Sequence, residues 1–133
     1  MEELWQLKFT DNINQMLRVR NDVDIKNELK NFTHLVTIKH KYHASDDIMF
    51  PDPACLAFFT AFEQNHLKAL EESNSLKLVA VDIHEGLMQY FLLSNDAMKT
   101  INDSISFLKS NSLYSCDFEI AFEKKDELIS SMY

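Results

Sequence analysis

An α+β domain built on an antiparallel sheet is what this sequence predicts, and three observations predict it. Short segments in which apolar residues alternate with polar ones recur along the chain, two longer segments carry apolar residues at three- and four-residue steps, and the two kinds interleave without any repeat, low-complexity tract or Gly/Ser linker. A length of 133 residues, 46% of them hydrophobic, suits one core, so residues 1–133 are read as a single domain. Ten Phe, four Tyr and one Trp against a single Gly and two Pro exclude a disordered chain, which buries too little apolar surface to offset its entropy.

In chain order, Trp5, Leu7 and Phe9 alternate as a short strand does, Leu17 and Val19 mark a second, and residues 24–32 read as one or two helical turns. From residue 34 the pattern sharpens. Val36, Ile38, His40 and Tyr42 share one side of a strand. A break over residues 45–53 ends where Asp52 can cap a helix that has Pro53 at its first position. That helix is expected over about 53–73, with Cys55, Phe58, Phe59, Phe62, His66, Ala69 and Leu70 as its inward stripe. Leu76 to Ile83 is apolar on both faces, as an interior strand requires. His84-Glu85-Gly86 then places the only glycine where a three-residue hairpin loop needs a positive φ, and Leu87 to Leu93 returns as the partner strand. Ser94 or Asn95 caps a second helix, whose stripe is Ala97, Met98, Ile101, Ile105 and Leu108 and which Ser110-Asn111-Ser112 ends. Tyr114, Cys116, Phe118, Ile120 and Phe122 alternate with polar neighbours as a half-buried strand, and Lys124 onward reads as a short closing helix.

From residue 34 the order is strand, helix, strand, strand, helix, strand, which is the order of a ferredoxin-like split βαβ unit. Residues 34–133 are assigned to that unit, with two helices on one face of an antiparallel sheet and its first and third strands central. Residues 1–33 form a strand-containing extension that lengthens an edge or covers the other face.

Several segments also carry a family likeness: the Phe-Pro-x-Pro entry at Phe50 to a Phe-rich helix, the run from Leu78 through the Gly86 hairpin to Leu93, and the Tyr-x-Cys-Asp-Phe-Glu-Ile strand beginning at Tyr114. Together they resemble an uncharacterised bacterial domain family of ferredoxin-like fold, related to regulator B of ribonuclease E activity. The likeness covers about residues 34–133. That family's Asp-x-x-Trp-x-x-Tyr-like ending is met only by Asp126, Leu128 and Tyr133, without the Trp. The resemblance implies the fold and carries no catalytic residues over.

Composition excludes several function classes. Thirteen Lys and Arg against 21 Asp and Glu give a formal charge of -8, which repels phosphate backbones and anionic lipid and favours a basic protein as partner. One glycine leaves no phosphate-cradling loop. Cys55 and Cys116 lie 61 positions apart in apolar stretches and read as reduced core residues, consistent with the cytoplasm. The start Met-Glu-Glu-Leu-Trp lacks the marks of a signal peptide, and no apolar run approaches the ~20 residues of a membrane span.

The histidines do not converge. His40 and His43 point to opposite faces of their strand, and His34 and His40 lie about 20 Å apart along it. His66 reads as a core residue and His84 as an exposed hairpin residue, so no metal or cofactor is expected. Cys116 lies among acids, which disfavour a thiolate, and no serine stands in a nucleophile elbow.

What remains is acidic surface. Asp46, Asp47 and Asp52 cluster before the first long helix, Glu71 and Glu72 close it, and Asp117 and Glu119 share one side of the last strand. In the expected sheet that strand lies beside Lys39 and Lys41, so cross-strand ion pairs compete with an exposed acidic face for these last two acids. These seven acids are the candidate contacts to a partner. The expected function is non-catalytic protein binding, as an immunity protein that neutralises a basic toxin domain, with a regulatory adaptor of a ribonuclease or other enzyme as the alternative. A third reading makes an enzyme of His84, Glu85 and nearby acids. A homodimer through a sheet edge is also open.

Overall fold

The structure is a computed structural model and describes residues 5–8, 15–22, 24–41, 57, 60–72, 76–84, 87–108, 116–121 and 124–132. Strands β1 (Trp5–Lys8) and β2 (Gln15–Arg20) precede helix α1 (Ile25–Asn31) and strand β3 (His34–Lys41). Helix α2 follows, π-helical over Phe62–Leu67 and α-helical over Lys68–Glu72, and then the hairpin of β4 (Leu76–His84) and β5 (Leu87–Ser94). Helix α3 (Ala97–Leu108), strand β6 (Cys116–Ala121) and helix α4 (Lys125–Ser130) complete the order. The strands form one open sheet in the order β1-β2-β4-β5-β3-β6, antiparallel at every pairing. The fold is therefore α+β, with a six-stranded sheet that is larger than a four-stranded unit because β1 and β2 continue it beyond β4. No described helix is long and apolar enough to cross a membrane.

Strand alternation divides the core in two. Val36 and Ile38 of β3 and Met88, Tyr90 and Leu92 of β5 face one side, where Phe62 and Leu67 of α2 and Ala97 and Ile101 of α3 pack on them. Leu35, Phe91 and Leu93 face the other, under Leu29 of α1 and Ile129 of α4. The extension thus does both things open to it, lengthening the sheet with two strands and covering the second face with α1.

Strand β4 needs an irregularity to serve both cores. Leu78 pairs with Leu92 and Ala80 with Phe91, so Val79 is an extra residue, a β-bulge. Leu76 and Leu78 before it and Val81 and Ile83 after it consequently share the first core, while Val79 and Ala80 both enter the second. Without the bulge, a strict period of two would aim Asp82 into the first core.

Several local expectations are corrected. His84 is the last residue of β4 and pairs with Leu87, so it belongs to the strand and not to a three-residue loop. Asp96 caps α3, accepting from the Lys99 N–H at 3.0 Å. Ser94 instead ends β5, where its hydroxyl accepts from the Asp96 N–H and meets the buried Thr100 hydroxyl at 2.7 Å. Of the expected α3 stripe, Ala97 is buried and Ile101 partly so, but Met98 is 61% exposed and Thr100 is buried in its stead. Ile120 is 48% exposed, as befits a strand that has a neighbour on one side only among the described residues.

In α2, Phe62 and Leu67 are fully buried whereas Ala69 is exposed. A π-helical turn closes from residue i to i+5, as the Lys68 N–H does on the Glu63 carbonyl, so it aligns residues five apart where α periodicity aligns three and four. The expected positions Phe9, Tyr42, Cys55, Phe58, Phe59, Tyr114 and Phe122 lie outside the described residues, as do the side chains of His66, Leu70, Ile105, Leu108 and Cys116.

The second face is fastened by one lysine. Helix α1 ends with carbonyls that have no partner within the helix; Lys125 Nζ donates to that of Leu29 at 2.6 Å, and Asn95 Nδ2 to that of Asn31 at 3.2 Å. Replacing Lys125 by Met keeps the apolar stem and leaves the buried carbonyl unsatisfied. The K125M variant should lose about 1–3 kcal/mol in urea unfolding, while D126N, at the exposed partner of the same lysine, should lose well under about 1 kcal/mol.

Candidate functional site

Strand β2 carries two arginines on the face opposite Leu17 and Val19, so both lie over the first core beside α2. Arg18 makes a two-pronged pair with Glu63, Nη2 to Oε1 at 2.8 Å and Nη1 to Oε2 at 3.4 Å. Arg20 is more deeply held. Its Nε and Nη2 donate to the two oxygens of Asp22 at 2.7 and 2.8 Å, and its Nη1 donates to Glu71 Oε1 at 2.9 Å and to the Leu78 carbonyl at 3.1 Å. Glu71 Oε1 also accepts from the Leu78 N–H at 3.1 Å.

This arrangement follows from the bulge. The register of β2 with β4 ends at Val19 opposite Ala80, so both backbone groups of Leu78 lack a strand partner there. A buried N–H or C=O must find one elsewhere, and the Arg20–Glu71 pair supplies a donor and an acceptor together. Asp22 completes the guanidinium shell. Its carboxyl is held below the usual carboxylate range, chiefly by the hydrogen bond from Arg20, with burial opposing. Arg20 is correspondingly pushed further above its ordinary value, first by Asp22 and then by Glu71, against the cost of burial.

Trp5, paired with Arg20 across the β1–β2 ladder, brings its ring beneath both guanidinium groups, at 4.9 Å for Arg18 and 5.6 Å for Arg20. Between this aromatic wall and α2 lies a cleft of about 480 Å³, floored by Leu67 and Leu78 and edged by Gln64 and Lys68. A second hollow of about 190 Å³ continues past Glu63 and Gln64 toward Met16, Ile83 and Met88. The Arg18–Glu63 pair stands at the junction. Among the described residues no three His, Cys, Asp or Glu side chains gather as a metal site. Cation–π contacts and paired charges line the cleft above the buried Leu67 and Leu78.

A family model described as a family of unknown function, DUF695, matches residues 4–127. The chain belongs to that family. No curated protein and no solved structure matches it. The DUF695 match takes in every strand of the sheet and the start of α4, so the cleft lies wholly inside it.

In this DUF695 chain the seven acids singled out from the sequence do not form one site. Asp46, Asp47 and Asp52 lie outside the described residues. Glu71 is spent on Arg20 and Leu78, and Glu72 ends α2 with its side chain outside the description. Glu119 bridges to Lys39 Nζ at 2.6 Å, the cross-strand pairing that competed with an exposed acidic face. Asp117 is exposed opposite Lys39 in the register, without an ion pair to any described residue. Sequence reasoning passed over Trp5, Arg18 and Arg20. The available signal was the alternation Leu17-Arg18-Val19-Arg20, which sets two cations on one side of a strand.

Removing Arg20 strands Glu71 and the Leu78 carbonyl together, so R20M should lose about 3 kcal/mol in urea unfolding, the scale of a broken buried pair. Because the folded state holds Asp22 below its unfolded pKa, its contribution is present above that unfolded value and is lost as pH falls through the lower folded one. Unfolding measured from neutral to acid pH should show this loss in the native protein and a shallower one in D22N.

Proposed function

We propose that this domain acts by binding another protein, and that the outer edge of β6 receives a basic strand of that partner. The observation that carries the reading is the edge itself. β6 ends the sheet beside β3, and no described strand pairs with its other side, so a row of backbone donors and acceptors is offered to an added strand. One side of the edge presents Asp117 and Glu119, the latter 64% exposed even while bridging to Lys39, and the other presents the half-exposed Ile120. A partner strand that alternates Lys or Arg with apolar residues matches both sides.

A formal charge of -8 adds long-range attraction for such a partner. An immunity protein that blocks a basic toxin domain inside the cytoplasm fits this charge and edge. The alternative is an adaptor or inhibitor of an intracellular ribonuclease or other enzyme, a reading that rests on the likeness to regulator B and that the placing of β3 and β5 between β4 and β6 supports.

Tagged protein immobilised at low salt should retain one basic protein in stoichiometric amount and release it at high salt. The doubly reversed variant D117K/E119K should retain at least about tenfold less, with stability changed by under about 1 kcal/mol because both sites are exposed. Equal retention by the variant would remove β6 from the interface. Recovery of a toxin domain favours immunity; recovery of a housekeeping ribonuclease favours the adaptor.

A further inference from the structure

The cleft between β2 and α2 is separate from the β6 edge and carries its own chemistry. Its volume of about 480 Å³ falls within the ~300–1,000 Å³ usual for small-ligand sites, with an aromatic wall and apolar floor beside a few polar groups. The commitments of those polar groups decide what can enter. Both oxygens of Glu63 are taken by Arg18, and both of Glu71 by Arg20. The guanidinium of Arg20 is in turn shared among Asp22, Glu71 and Leu78. Lys68 and Gln64 line the cleft, are exposed, and make no hydrogen bond or ion pair with a described residue.

An incoming cation would find the carboxylates occupied and two guanidinium groups already over Trp5, at 4.9 and 5.6 Å. An incoming anion meets an uncommitted ammonium with a side-chain amide beside it, and has no charge to displace. An apolar body on the same molecule gains by covering the half-buried Trp5, since Leu67 and Leu78 beneath it are already out of water.

We propose that this cleft binds a small amphipathic carboxylate, its apolar body against Trp5 and its carboxylate on Lys68 Nζ and the Gln64 amide. Trp5 is the only tryptophan in the chain, so its emission reports on the cleft directly. Titration of the full chain with 4-phenylbutyrate should give a saturable change in that emission, and 4-phenylbutylamine, of the same size and opposite charge, should bind at least about tenfold more weakly. The K68M variant should weaken 4-phenylbutyrate by about tenfold, with K68R restoring it to within about threefold, the loss expected for one charge-assisted hydrogen bond. D117K, on the far edge of the sheet, should leave the affinity unchanged, which keeps this outcome apart from that of partner capture. Equal binding of the amine, an unchanged affinity in K68M, or no saturable response to 4-phenylbutyrate into the millimolar range would overturn the proposal.

Discussion

The peptide groups of Leu78 set a constraint that much of this fold obeys. The bulge at Val79 is what lets β4 feed two cores, yet it coincides with the end of the ladder to β2, where a buried N–H and a buried carbonyl lose their strand partners. Arg20 and Glu71 answer both at once, the guanidinium giving to the carbonyl and the carboxylate taking from the N–H, while the two charges neutralise each other. Neither residue would suffice alone. Without Glu71 the Leu78 N–H loses its acceptor although Arg20 keeps Asp22, and without Arg20 the Leu78 carbonyl loses its donor and the part-buried Glu71 its counter-charge. The end of β2, the end of α2 and the middle of β4 are thereby fixed relative to one another.

The cleft is a consequence of the same fastening. Arg18 ties β2 to the π-helical part of α2 through Glu63, as Arg20 ties it to the α-helical part through Glu71. Two ion pairs along one strand hold the helix in place while leaving space between their stems. Phe62, edge-on to Tyr90 at 5.3 Å, and Leu67 anchor the helix to the sheet beneath, and the five-residue step between them is the one a π-helical turn aligns. A regular α-helix would carry Leu67 away from the core or turn Glu63 away from Arg18. The irregular helix and the bulged strand therefore serve one geometry, and π-helical segments are found at functional sites more often than their rarity suggests.

Charge is distributed with the same economy. The acids that meet arginines are consumed in holding the structure, and those left on the outer strand face solvent, with Lys39 restraining Glu119 alone. Of the seven acids, the exposed ones among the described residues are thus Asp117 and Glu119, on a strand that no other described strand covers on its outer side. Edges of this kind invite pairing, and acidic side chains on them select for basic strands while discouraging a second copy of the same acidic strand.

By itself the sequence determined the elements whose signals are local. Alternation from Val36 placed β3, a run apolar on both faces placed β4, its return after Gly86 placed β5, and three- and four-residue steps placed α3, because burial on one face or on both is written into neighbouring residues. The interior position of β3 and β5, and the pairing of the Lys39 strand with the last strand, were legible one step further on, from the order of elements, whereas β4 and β5 are the central pair of the whole sheet. The cleft was not. Arg18 and Glu63 stand 45 residues apart, and Arg20 and Glu71 stand 51 apart, so their pairing depends on β2 lying beside β4, which no local period encodes. The bulge at Val79 and the π-helical turn likewise leave the composition of their segments unchanged while shifting which residues share a face. Only tertiary packing decided them, because the buried groups they satisfy are supplied by distant parts of the chain.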